Sequence, residues 1–295
     1  MDNHLLERIT HNPDISQPRV VQAAYDIVGQ YNQDQINGFD EHFLTSFVEL
    51  VDLENAENVL DAMSGDGNLT RRMINYCLER QISVPAITLL EYSSVQTELA
   101  RRTIDLDTVI ILHGDILSMK DLQSGEILPD NSFDRVVIKS GTHEIPVAKQ
   151  QQLYRSIFRV LKPGGVLINL GFLFEDVQER DEFIEITKVK ETLVGAMDAV
   201  ANRYFLLREE FYKFLELAGF KEIRGLTSFE YVIRSEIVEK EYFSTPKLSN
   251  AMAELFAAQK RAMTLCNHRR IVFEANRSTM HLPGEITIAV KPQMF

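Results

Sequence analysis

Three carboxylates in this chain each close an apolar, β-rich run. Asp61 ends Val59-Leu-Asp, Glu91 ends Ala86–Leu90, and Asp115 follows Thr108–Leu112 through His113-Gly. A fourth run, Phe133–Ile138, stops at Lys139-Ser140-Gly141, and Thr142-His143-Glu144 comes directly after it. In a parallel sheet the C-terminal strand ends gather along one edge, where ligands bind in doubly wound folds. These acids, the lysine and the imidazole would then face a common ligand. Carboxylates can hold a ligand's hydroxyl, amino or cationic groups. An imidazole, with its reference pKa near neutrality, can take a proton.

The first acid opens a loop. Val59 to Thr70 reads Val-Leu-Asp-Ala-Met-Ser-Gly-Asp-Gly-Asn-Leu-Thr, a strand followed by Gly65 and Gly67 and then a helical run around Thr70–Tyr76. Glycines there let a backbone approach a ligand where side chains would block it. A dinucleotide brings an anionic pyrophosphate to such a turn, and Asp61 would repel it. S-adenosylmethionine instead offers an amino group and a sulfonium, both of which Asp61 attracts. The three-glycine pattern G-x-G-x-x-G is also absent, since Thr70 stands where the third glycine would fall.

Further along, Lys149–Leu161 has helical spacing, and Lys162-Pro-Gly-Gly165 turns the chain into a fifth strand, Val166–Leu170. In this order, Val-Leu-Asp-Ala-Met-Ser-Gly-Asp-Gly, the Glu91 strand end, Gly114-Asp115-Ile116, Ser132-Phe-Asp-Arg-Val-Val and Arg159-Val-Leu-Lys-Pro-Gly-Gly resemble the class I S-adenosylmethionine-dependent methyltransferases over Val59–Phe172. The chain departs from that pattern at Met63, where the family carries its first loop glycine. The resemblance implies that Asp61, Met63, Gly65 and Gly67 surround the methionine part of S-adenosyl-L-methionine. It places Glu91 at the ribose, Asp115 and Ile116 at the adenine, and Tyr92, Lys139 and Ser140 beside the cofactor. Tyr31 and Phe39 would fold over it, or simply fill a contact between helix and sheet. His143 is the candidate base and Glu144 its partner. The 139–146 loop is similar to one in methyltransferases of microbial secondary metabolism, which implies O-methylation of an enol- or phenol-like small molecule. Asp134 lies at the start of its strand, away from that edge, and reads as structural.

The expected fold is an α/β, Rossmann-like, seven-stranded, mostly parallel sheet with helices on both faces and helical N-terminal and C-terminal caps. A cap over residues 1–55, with helices at Val20–Val28 and Phe43–Leu53, would precede a core over 56–236. The core would carry a helical insertion near 174–206, and a second cap over 237–284 would precede a last strand in 285–295. The insertions could cover a substrate, with Arg269, Arg270 and Arg277 available to an acidic group, or form a homodimer surface. With 45% hydrophobic residues the 295-residue chain can bury such a core. A net charge of -12 argues against phosphate-driven binding to nucleic acid. Cys77 and Cys266 lack metal-ligand spacing and read as reduced packing residues, and no metal cluster is evident. No stretch approaches the roughly 20 apolar residues of a membrane span, and no signal peptide opens the chain, so a cytoplasmic protein is expected. Two other readings stay open: a cofactor-binding regulator or partner subunit without catalysis, and an NAD-dependent oxidoreductase.

Overall fold

The computed structural model describes residues 39, 41–243, 250–266 and 270–293. Its strands are β1 (Asn58–Ala62), β2 (Ala86–Glu91), β3 (Val109–Asp115), β4 (Lys120–Asp121), β5 (Phe133–Lys139), β6 (Leu161–Phe174), β7 (Leu206–Leu207), β8 (Lys221–Arg234), β9 (Ile271–Glu274) and β10 (Arg277–Val290). Their order across the sheet is β4-β3-β2-β1-β5-β6-β10-β8, with β7 beside β6 and β9 beside β10. β1 is parallel to both β2 and β5, β2 to β3, and β5 to β6, while β10 runs antiparallel to β6 and β8. The seven strands from β3 to β8 form the expected mostly parallel sheet. Short β4, β7 and β9 bring the described sheet to ten.

The central strands read as continuous apolar runs because both faces of the sheet are covered. Neighbouring residues point to opposite faces, so Val59, Val137 and Ile168 join one core cluster while Leu60, Val136 and Leu167 join the other. The first cluster takes in α1 (Glu41–Glu49), α2 (Asn68–Arg80) and α3 (Ser94–Thr103) through Phe47, Met73 and Ala100. The second takes in α4 (Val147–Val160) through Leu153 and Ile157.

Beyond β6 lie α5 (Val177–Val194), α6 (Met197–Asn202) and α7 (Arg208–Ala218). Asp176 caps α5 by accepting N–H bonds from Gln178 and Glu179, and Gly195 ends it at φ +80°. A buried ion pair, Arg180 Nη1 to Glu210 Oε1 at 3.2 Å, ties α5 to α7, and the Tyr204 hydroxyl accepts from the same guanidinium. After β8 come α8 (Ser235–Tyr242) and α9 (Ala251–Cys266), and α9 packs on α5. The two insertions read separately from the sequence thus meet. Arg270 is engaged by Glu179 and Glu230, Arg277 starts β10, and Arg269 lies outside the described residues, as do Tyr31 and Val20–Val28.

β10 begins at Arg277 rather than Glu285, and β8 spans Lys221–Arg234. Much of β8 is exposed at the sheet edge, so its polar residues hide the strand from a search for apolar runs. Asp134 is structural. Its Oδ2 accepts from the Asn58 N–H at 2.8 Å, the Glu57 N–H at 3.1 Å and Lys162 Nζ at 3.1 Å. Partial burial pushes its carboxyl upward, but the Lys162 bond and the two N–H donors outweigh this and hold it below the ordinary value. Asp134→Ala is expected to lower unfolding free energy by about 1–2 kcal/mol, read from a lower urea midpoint at constant slope.

Candidate active site

The strand order reverses between β1 and β5, and in such sheets the ligand crevice opens there, at the C-terminal edge. The loop leaving β1 and the turn leaving β5 flank it. Met63 takes φ +59°, the left-handed region a glycine would favour, at a strain of roughly 1 kcal/mol or more. The loop therefore makes its left-handed turn at a methionine rather than a glycine. The Met63 side chain lies against Gly141, where an added Cβ would come 2.7 Å from its sulfur. Gly65, at φ +56°, has open space where a Cβ would stand, and its N–H donates to Glu91 Oε2 at 2.9 Å. Glu91 Oε1 accepts the Ser93 N–H at 2.7 Å, so one strand-end carboxylate braces two turns. Gly67, at φ +78°, opens α2, and a Cβ there would collide with Ile104 at 2.6 Å.

Asp61 is buried, and its Oδ2 accepts the Thr70 hydroxyl at 2.7 Å. Burial pushes its pKa up to about 7, opposed by the Thr70 bond and the Lys139 charge and aided by Glu91. Asp115 faces its own turn, with Oδ1 accepting the Leu117 N–H and Oδ2 the Ser118 hydroxyl. Ile116 is buried in the second core cluster, and the Tyr92 carbonyl pairs with His113 Nε2 at 3.0 Å.

Beyond β5, Ser140 takes φ +57°, and residues Thr142–Glu144 form a 3-10 turn. Gln150, fully buried on α4, clamps that turn by donating to the Thr142 and Ile145 carbonyls at 2.8 Å each. The Tyr204 N–H holds the His143 carbonyl at 2.8 Å. The imidazole stacks on Phe205, with centroids 4.9 Å apart, and meets the edge of Phe172 at 5.3 Å. His143 Nδ1 is buried without a hydrogen-bond partner. Burial, then the charges of Arg203 and Lys190, drive the His143 pKa well below its ordinary value, so the ring is neutral near pH 7. Both cations share Glu191 Oε1, at 2.8 and 2.9 Å. Glu144 is buried beside the histidine.

A family model described as a methyltransferase domain matches residues 59–165. This chain carries a methyltransferase domain. Its sheet has the Rossmann-like methyltransferase fold. A Bacillus halodurans protein described as a methyltransferase superposes with a TM-score of 0.66 at 20% identity, covering 85% of this chain and 99% of that one. The demethylmenaquinone methyltransferase of Listeria welshimeri is 30% identical over 123 residues, 41% of this chain and 47% of the relative. The Arabidopsis thaliana 24-methylenesterol C-methyltransferase 2 is 27% identical over 142 residues, 47% of this chain and 36% of the relative. The chain thus spans half or less of the length of these curated relatives.

Within the methyltransferase domain, Asp61, Met63, Gly65, Gly67, Glu91, Lys139, Ser140, His143 and Glu144 all lie on the turns and strand ends around the crevice. Sequence reasoning missed Thr70 as a partner of Asp61, having read it only as a missing glycine. It also missed Phe172, Phe205 and Tyr231, which lie beyond the matched domain. Among the described residues no group of His, Cys, Asp and Glu could hold a metal ion, and no helix is long and apolar enough to cross a membrane.

Proposed function

We propose that the protein is an S-adenosylmethionine-dependent methyltransferase that methylates an enol- or phenol-like hydroxyl on a small molecule of secondary metabolism. The observation that carries this reading is the neutral, desolvated His143, fixed beside the β1/β5 crevice with Nδ1 buried and unpartnered. The cradle fits the cofactor. Gly65 leaves open space, Ser64 Oγ is buried without a hydrogen-bond partner, and the carboxylates of Asp61 and Glu91 suit a ligand that carries positive charge and ribose hydroxyls.

When bound, the cofactor supplies a methyl group already activated by its sulfonium. The chain then has to orient the acceptor, exclude water and take one proton. In the Nε2–H tautomer His143 presents the Nδ1 lone pair to the acceptor hydroxyl and receives that proton. Glu144 would orient the imidazole or balance the charge it gains. A second reading is methylation at carbon, supported by the names of the quinone and sterol relatives. An enol losing its O–H proton to His143 can react at carbon as well as oxygen.

Calorimetric titration tests the cofactor assignment. S-adenosylmethionine and S-adenosylhomocysteine are expected to bind with micromolar affinity and NAD not at all. Glu91→Gln, which keeps one acceptor oxygen and loses the charge, is expected to weaken both about tenfold. NAD binding, or no binding of either sulfur nucleoside, would overturn the reading.

A further inference from the structure

Behind His143 stands a row of contacts that the chemistry above does not use. Arg203, Tyr204 and Phe205 are consecutive, and each is held by a different side chain of α5. Arg203 Nη1 donates to Glu191 Oε1 at 2.8 Å, and the Tyr204 hydroxyl accepts from Arg180 Nη1 at 2.8 Å. The Phe205 ring meets Phe183 edge-on, with centroids 4.7 Å apart. Arg180, Phe183 and Glu191 are all buried, and their helical spacing keeps them on one face of α5. One helix face thus grips three successive residues of the segment between α6 and β7.

The same segment holds the histidine. The Tyr204 N–H donates to the His143 carbonyl at 2.8 Å, and Phe205 stacks on the imidazole with the two planes 12° apart. No hydrogen bond at Nδ1 orients the ring, so the stacked face of Phe205 and the edge of Phe172 do. Each end of the grip is a buried charge network. Glu191 is shared by Arg203 and Lys190, and Arg180 is paired with Glu210, whose Oε2 also accepts the Leu207 N–H at 2.9 Å. A buried ion pair contributes little net stability over apolar packing, yet losing one partner is costly, so it holds its residues in one register. His143 lies within the matched span 59–165, and this support for it comes entirely from the chain beyond that span.

We propose that Arg180 and Glu191 are positioning residues for His143, which set the orientation of its imidazole through Arg203-Tyr204-Phe205. The proposal deepens the methyltransferase reading and rests on it for its catalytic meaning. Gln150 fixes the backbone of the turn, and α5 braces the ring that the turn carries. A base that takes a proton from a bound hydroxyl has to be aimed closely, and a small misplacement costs rate out of proportion to stability.

The test follows the His143 ring by NMR in the full chain carrying isotope-labelled histidine, at mildly basic pH, with its signal identified by its loss in His143→Ala. In the wild type the ring protons should show a through-space contact with Phe205 and an upfield shift from the stacking. Tyr204→Phe removes the hydroxyl held by Arg180 and leaves the Arg180–Glu210 pair in place. Arg203→Gln cuts the tie to Glu191, which keeps Lys190 as its partner. Either variant is expected to weaken the contact with Phe205 and move the ring signal downfield, with S-adenosylhomocysteine affinity unchanged by calorimetry, and the two together to abolish the contact. Should one variant fail to fold, the other carries the test. Asp134→Ala, which loosens the opposite end of β5, is the control and should leave the His143 signal in place. A signal that stays put in the folded brace variants overturns the proposal. So does one that moves as far in Asp134→Ala, since that marks general loosening. The base reading fails separately, by parent-like turnover of His143→Ala, which overturns the positioning role while the NMR result stands. A wild type that binds no S-adenosylhomocysteine removes the methyltransferase reading, and the positioning role with it.

Discussion

His143→Ala is expected to lower methyl-transfer turnover about a hundredfold or more, with S-adenosylhomocysteine affinity changed by less than about twofold. The imidazole packs against Phe172 and Phe205, and its ring makes none of the contacts described for the loop after β1. Its removal should therefore reach the proton-transfer step and spare cofactor binding. The ring's low pKa fixes the shape of the pH profile. A base works in its unprotonated form, and burial with the Arg203 and Lys190 charges keeps His143 unprotonated to well below its ordinary value of 6.5. The acid limb assigned to His143 should accordingly fall below pH 6.5, leaving turnover flat from there to mildly basic pH. Single-turnover rates with labelled cofactor and an acceptor found by screening hydroxyaromatics would measure this. Parent-like turnover in His143→Ala at every pH would end the base role. The Gln150 clamp predicts where a milder defect should appear. Without its two bonds to the Thr142 and Ile145 carbonyls, the turn carrying His143 loses its main side-chain support.

The strand ends and the glycine loop of the candidate site were legible in the sequence because each of these parts is local. Asp61, Glu91 and Asp115 stand at the ends of short apolar runs, and a strand end is a place that a run of β-branched residues marks by itself. Gly65 and Gly67 were legible for the same reason, since both take positive φ next to such an end. Met63 shows the limit of that logic. Its residue type argues against a glycine-like turn, yet the loop holds it at φ +59° because the surrounding bonds fix the turn, including the Met63 N–H to the Leu90 carbonyl. Asp115 shows a second feature of strand ends. It stands at a strand end, and each of its oxygens also accepts a bond from within the next three residues. A strand-end acid and a turn cap have the same sequence signature. The aromatic packing behind the β5 turn was hidden because it is assembled over long separations. Ser140 and Tyr231 are 91 residues apart and meet only after β10 has folded back between β6 and β8. Nothing near Tyr231 in the sequence marks it as different from the other aromatic residues of an edge strand.

Asp61→Asn should separate the two demands that one buried carboxylate has to meet. In the free protein its pKa of about 7 lies far above the ordinary 3.8, chiefly because burial penalises the charged form. Between those two values the folded state holds more protons than the unfolded chain, so stability falls as pH rises through that window and levels off above about 7. The whole effect is on the order of 4 kcal/mol at most. Urea denaturation of the free wild type should show this slope, and Asp61→Asn should lose most of it, becoming the more stable of the two at mildly basic pH. Cofactor binding reverses the preference. A cationic ligand next to Asp61 stabilises the carboxylate, lowers its pKa and expels the proton. Wild-type affinity for S-adenosylmethionine should therefore rise with pH up to about 7, and calorimetry at pH 6.5 in buffers of different ionisation enthalpy should detect proton release. The variant should bind about 1–3 kcal/mol more weakly near pH 7, the range for losing a charge-assisted hydrogen bond, and release no proton. If wild type and variant exchange the same number of protons, the cation does not sit at Asp61. The residue would then only cap the turn through Thr70.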